Sequence, residues 1–283
     1  MRKIYIILLI FVVVACSTSD GKHVWIHNLR NEKIYVELDG TQNAFRQKLV
    51  FIQHGLASNL NHVAVQVAKR AFLDQGYVVV TFDSRYSLGQ SDGDVEAVGL
   101  DTFVQDLTTV VDWAKQQPFY HEPFAVSGHS LGGASVLLYA AQHPMQVETL
   151  IPITPVVSGK AWEETCLRNM PEFCQHWKET GFYEYKTADK TAIIPYQLIE
   201  NTKSYNAMDL ARQIKARTLF VAAQNDVIVH PTDIHHLYTQ MLSNAIFLIV
   251  AQSGHNFENE YDQKDLYKVI STFLTLHKKP LKL

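Results

Sequence analysis

The stretch Phe124-Ala125-Val126-Ser127-Gly128-His129-Ser130-Leu131-Gly132-Gly133 runs from a short apolar segment through Gly-x-Ser-x-Gly into a helical pattern. The pattern continues from Leu131 to Gln142, where His143-Pro144 stops it. An apolar strand, a turn with glycine on both sides of a serine, and a helix behind it form a strand–turn–helix unit that presents the serine hydroxyl above a sheet. The turn is so tight that its flanking positions tolerate little beyond glycine. The helix behind it aims backbone N–H groups, and the positive end of its dipole, at the same spot. Ser130 is therefore the candidate nucleophile. The five-residue pattern alone occurs by chance; the strand before it and the helix after it give it weight.

The same alternation extends outward in both directions. Leu49–Ile52, Tyr77–Val80, Leu150-Ile151, Leu219–Val221 and Ile246–Val250 are short continuous apolar runs, which suit strands buried on both faces of a parallel sheet. Helix-period segments lie between them: Asn61 to Gln75, ending at Gly76; Leu100 to Gln117, ending at Pro118; and Asp262 to Leu276, with His277, Lys278 and Lys279 after it. At the N-terminal side, His23 to Leu38 alternates in a strand-like way, and Asp39-Gly40 is a turn signal, so two antiparallel strands are expected there. The order predicts a mostly parallel, doubly wound α/β sheet flanked by helices. Thr154 to Asp209 breaks the rhythm. It has no buried-strand run but carries Trp162, Phe173, Trp177, Phe182, Tyr183 and Tyr185. It is read as a lid, at about 155–209, inserted after the sixth strand.

A serine nucleophile needs a base, and the base needs an orienting carboxylate. Behind a motif of this kind they follow in the order Ser, Asp or Glu, His, each after a strand. Gln224-Asn225-Asp226 follows Leu219–Ala223, and Gln252-Ser253-Gly254-His255 follows Ile246–Val250. Asp226 and His255 are the candidate acid and base. Asp233, His230, His235 and His236 are rivals by residue type, but they share one helix rather than a strand end. The oxyanion of a tetrahedral intermediate needs two donors. One is the N–H after the nucleophile, Leu131. The other is expected from His54-Gly55-Leu56 at the end of the first buried strand, through the Leu56 N–H. His-Glu-x-x-His and Cys-x-x-Cys are absent from the sequence, so a metal has little support, and the chemistry implies no cofactor.

Taken in order, Phe51-Ile52-Gln53-His54-Gly55, Gly128-His129-Ser130-Leu131-Gly132-Gly133, Asn225-Asp226-Val227-Ile228-Val229 and Ser253-Gly254-His255-Asn256-Phe257 resemble the α/β-hydrolase superfamily. The closest resemblance is to its branch of serine aminopeptidase-like hydrolases, monoacylglycerol lipases and small carboxylesterases. The resemblance spans roughly residues 23 to 279. It implies acyl transfer to water: His255 takes the Ser130 proton, the serine attacks a carbonyl, and water hydrolyses the acyl-enzyme. Asp83-Ser84-Arg85 and Gly89-Gln90-Ser91 resemble the branch's Asp-x-Arg-Gly-x-Gly-x-Ser loop. Tyr86 replaces its first glycine, and Gly89 and Ser91 fall one place late. That loop is expected to be structural, with Arg85 pairing carboxylates. The aromatic lid suits an ester with an apolar acyl or aryl part, or serves only to pack the lid itself. An amide or peptide substrate is the enzymatic alternative, because the same triad cleaves both. A non-catalytic surface binding protein on this scaffold is the reading from another class, but a binder has no need of all three residues in order.

The first residues carry a different signal. Arg2-Lys3, an apolar run from Ile4 to Ala15, and Cys16 describe an export signal too short to span a bilayer. Val13-Val14-Ala15-Cys16 resembles the lipobox of bacterial lipoproteins. The resemblance implies a signal peptide at 1–15, lipid on Cys16, a tether over 16–22 and a hydrolase domain over 23–283. Ser17 after the cysteine favours the outer membrane in a Gram-negative cell. Export permits a disulfide between the two remaining cysteines. Pro171 breaks the helical run between Cys166 and Cys174, so two short helices, Ala161–Arg168 and Pro171–Lys178, can fold back and bring the thiols together. Net charge is −3 with scattered Lys and Arg, which argues against a nucleic-acid partner. The expected partners are a small ester or amide substrate and, through the lipid, a membrane.

Overall fold

A computed structural model describes residues 21–41, 48–187, 190–241 and 243–276 of the chain. The expected signal peptide, Cys16 and the C-terminal His277, Lys278 and Lys279 lie outside the described residues.

Lys22–His27 (β1) and Lys33–Asp39 (β2) pair as an antiparallel hairpin. The chain reverses at Asn28–Glu32 rather than at Asp39-Gly40. The Asn28 side chain accepts the N–H groups of Arg30 and Glu32, both at 2.9 Å, and Asn31 takes a left-handed φ of 62°. A side chain that closes a turn on its own backbone outcompetes a generic turn dipeptide. Strand β1 also starts at Lys22, inside the expected tether.

Lys48–Gln53 (β3), Val63–Asp74 (α1), Tyr77–Phe82 (β4), Leu100–Ala114 (α2), Phe124–His129 (β5), Leu131–Gln142 (α3) and Val147–Ile153 (β6) follow in alternation. After an inserted segment the chain resumes with Arg217–Ala223 (β9), Pro231–Thr239 (α7), Ala245–Val250 (β10) and Glu260–Leu276 (α8). The eight-stranded sheet has the order β1-β2-β4-β3-β5-β6-β9-β10, and every pairing from β4 onward is parallel. This is the α/β-hydrolase fold. Strands β4 and β5 are buried along their whole length, as their unbroken apolar runs require. Helix α3 is buried on nearly every side beside β5, so the Ser130 turn sits on the most enclosed helix of the domain. Strand β10 departs from expectation. It is an edge strand, and Ile246, Leu248 and Ile249 are exposed, because an apolar run of five residues does not distinguish a central strand from a terminal one.

The insertion between β6 and β9 contains Gly159–Asn169 (α4), Pro171–Thr180 (α5), the hairpin Phe182–Lys186 (β7) and Thr191–Pro195 (β8), and Gln197–Thr202 (α6). Pro171 occupies the first turn of α5, where its missing N–H costs nothing. A disulfide joins Cys166 on α4 to Cys174 on α5, with Cα atoms 5.9 Å apart. Trp177 anchors the lid's own core. Its ring packs edge-on against Tyr183 at 4.9 Å and Tyr196 at 5.3 Å, and its Nε1–H donates to the Ile194 carbonyl. The two ends of the insertion are stitched together at its base. Gly159 N–H donates to Tyr205 O, Ala207 N–H donates to Val157 O, and Ser158 bridges Asn206.

Candidate active site

Three loops at the C-terminal edge of the sheet meet over β5. Ser130 ends that strand with φ 55° and ψ −117° and caps α3. Its backbone is held on both sides: its N–H donates to Ile153 O, and its carbonyl accepts from Ala134 and Val156. Its hydroxyl makes no hydrogen bond among the described residues. A side chain at Gly128 would run into the Gly132 carbonyl, so the turn is confined to glycine by backbone on backbone.

Asp226 follows β9. One carboxylate oxygen accepts the N–H groups of Ile228 and Val229, both at 2.9 Å, which locks the carboxylate against its own loop. The other accepts from His255 Nδ1 at 2.7 Å. Both side chains are buried. With Nδ1 donating to a carboxylate, the Nε2 of a neutral His255 ring is bare and able to take a proton.

Ser130 and His255 open into one cavity of about 440 Å³. One wall is apolar and comes from the lid: Trp162, Met170, Phe173, Trp177, Tyr183 and Tyr185. Polar residues line the cavity too, among them Asn61, His62, Asn256 and Glu258. Trp177 and Tyr183 both pack against each other within the insertion and line the cavity. Leu56 lines the cavity beside Ser130, and Leu131 is the first residue of α3. Among the described residues, neither backbone N–H donates a hydrogen bond to the protein. Gly55 lets the Leu56 loop come this close. A Cβ there would lie 3.0 Å from the Ser130 Cβ and 3.1 Å from His129 Nδ1.

The motif reading does not single out three further histidines around the site. His54 donates Nδ1–H to Gly55 O and accepts from Ser84 N–H at Nε2. His62 caps α1 by accepting the Ala64 N–H at Nδ1. His129 stacks on His62 at 4.5 Å and approaches His255 at 4.8 Å. Burial pushes all three below the ordinary histidine range, His62 to about 4 and His129 well below it. The signal for His129 lies in the motif itself, since it is the residue next to the serine. His62 immediately precedes a helix pattern, the position of a cap.

The rival groups lie elsewhere. His230 caps α7, Asp233 sits in that helix's first turn, and His235 packs on Phe247. The Asp83 loop is a buttress. The Asp83 carboxylate accepts the N–H groups of Leu60 and Gln90, and Arg85 pairs with Asp106 and Glu32.

Residues 45–208 match the protein family described as serine aminopeptidase, S33. The match includes Ser130 and ends before Asp226 and His255. An uncharacterized 31.7 kDa protein of the traX-finO intergenic region of Escherichia coli is 22% identical over 231 residues, which is 71% of this chain and 80% of that one. The monoglyceride lipase of Rattus norvegicus is 31% identical over 142 residues, 49% of this chain and 41% of that one. Among solved structures, the Est1E protein of Butyrivibrio proteoclasticus with bound ferulic acid superposes with a TM-score of 0.73. The identity is 19%, covering 89% of this chain and 98% of that one.

Proposed function

Because the chain belongs to the serine aminopeptidase, S33 family of hydrolases, we propose that it hydrolyses carboxylic esters through an acyl-enzyme on Ser130. The observation that carries this reading is that Ser130 shares one cavity with the His255 of a bonded Asp226–His255 pair, and that aromatic residues of the insertion line the same cavity. His255 takes the serine proton as the hydroxyl attacks the carbonyl, then returns it to the leaving alcohol. Asp226 holds the ring and steadies the imidazolium that forms between the two steps. The Leu56 and Leu131 N–H groups receive the oxyanion; one such donor is worth about 10²–10³ in rate. An apolar acyl or aryl group stabilises binding by leaving water for the lid wall. The likeness to a monoglyceride lipase supports an ester over an amide.

A second reading, amide hydrolysis next to a free amino group, draws on Glu258, an exposed carboxylate on the cavity rim close to His255. A screen of p-nitrophenyl esters of increasing chain length beside aminoacyl p-nitroanilides separates the two. The esters are expected to turn over faster, and faster turnover of the anilides would replace the first reading with the second.

The proposal extends to location: an exported protein tethered to a bacterial membrane through lipid on Cys16. One mass-spectrometric experiment follows all three cysteines. The expected N-terminal peptide starts at Cys16 and carries lipid-sized added mass, whereas an unmodified N-terminus elsewhere removes the anchor. In the same sample Cys166 and Cys174 are expected to resist alkylation until reductant is added. Closing a loop this short is worth roughly 2.5 kcal/mol in the chain-entropy description, so reduction should lower the unfolding midpoint of the lid.

A further inference from the structure

In the sheet order, β5 and β10 are separated by β6 and β9, so the loop carrying His255 must reach back across two strands to meet Ser130. The bond to Asp226 orients the imidazole but ties it to the β9 loop. Among the described residues, the hydrogen bond that joins the nucleophile turn directly to the His255 loop runs from His129 Nε2 to the His255 carbonyl, at 2.9 Å. The His129 ring lies between two parts of the site, with Nδ1 against Gly55 and Nε2 against the base loop.

We propose that His129 is a positioning residue for the reaction, setting the distance between base and nucleophile by holding the backbone of His255 through its Nε2–H. The proposal rests on the reading of His255 as the base. A carbonyl only accepts, so Nε2 carries the proton and Nδ1 of the neutral ring is bare. That bare Nδ1 is buried and has no partner among the described residues, a cost that a purely space-filling residue would not incur. An apolar ring at this position would fill the same volume without leaving a buried acceptor unmet. Histidine suits the position for a further reason. A neutral donor grips the carbonyl without placing a second positive charge beside the imidazolium that forms on His255. A lysine or arginine would supply a donor together with that charge.

The test compares kcat, KM and urea midpoint for H129Q, H129N, H129F and H255A on p-nitrophenyl butyrate. Glutamine places an amide N–H near the Nε2 position, whereas asparagine is too short and phenylalanine keeps the ring without the donor. H129Q is expected to stay within about tenfold of the wild-type kcat. H129N and H129F should lose about 10²-fold in kcat at unchanged KM, the scale of an ångström-sized misplacement of a catalytic group. A wild-type kcat in H129N or H129F, or an H129Q as slow as the other two, overturns the proposal. If H129F does not fold, the contrast between H129Q and H129N decides. H255A with wild-type activity would overturn both this proposal and the base assignment beneath it, a result distinguishable from failure of His129 alone.

Discussion

Ser130→Ala is expected to lower kcat on p-nitrophenyl esters by about 10⁴–10⁶, to the level left by binding and the oxyanion donors. The fold should be untouched. The Ser130 backbone makes the hydrogen bonds that shape the turn, while its hydroxyl makes none among the described residues, so alanine removes the proposed nucleophile and nothing structural. The measurement is turnover beside a urea midpoint, with a fluorophosphonate probe as an independent readout. The probe should label the wild type and leave the variant unlabelled. Turnover within tenfold of wild type at an unchanged midpoint would take Ser130 out of its role and move the chemistry to another group.

Acidification is expected to weaken the fold strongly below neutral pH, and His62 is the largest cause that can be given a value. An unfolded histidine takes a proton near pH 6.5, whereas burial holds folded His62 neutral to about 4. Between those values the unfolded chain binds a proton that the folded chain refuses. The stability from this group is therefore complete above about 6.5 and falls as pH drops toward 4, by about 2 kcal/mol at pH 5 and about 3 at pH 4. His54 and His129 act in the same direction. Asp106 acts in the opposite one, because burial lifts it to about 6 against the pull of Arg85. The difference between wild type and His62→Gln removes that shared background. Urea midpoints at pH 7.5 and 5 should converge for the variant relative to wild type. An identical pH dependence in the two proteins would show that His62 titrates in the native state as it does in the unfolded one.

The parts of this molecule dictated by local rules were legible from sequence. A strand buried on both faces has to be apolar throughout, so β3, β4 and β5 are visible as runs. The turn carrying Ser130 has to exclude side chains, so Gly128 is visible as well. Asp226 and His255, which the structure joins by a hydrogen bond, each sit at the first polar stretch after a strand. The parts that were not legible depend on contacts between distant segments. Asn28 closes the β1–β2 turn through its own side chain, and nothing in the composition of that segment ranks it above Asp39-Gly40. The edge position of β10 is a property of the sheet rather than of five apolar residues. The lid hairpin β7–β8 is short, with β7 mostly exposed and β8 buried only at Ala192 and Ile194, so it lacks the burial that makes a strand visible. The histidine cluster joins residues 62, 129 and 255, which only the completed sheet brings together.

The stitching at the base of the lid has a consequence for how this protein can change. Val157–Gly159 and Tyr205–Ala207 hold one another by backbone hydrogen bonds, and Gly159 is confined to glycine because a Cβ there would meet the Thr202 carbonyl. The path from β6 to β9 is thus already closed beneath the insertion, and the loops bearing Ser130, Asp226 and His255 belong to strands on either side of that closure. The segment above it behaves as a cassette. On the proposed assignment, changes confined to it leave the loops bearing Ser130, Asp226 and His255 in place, so selectivity and chemistry can vary as separate traits on one chain.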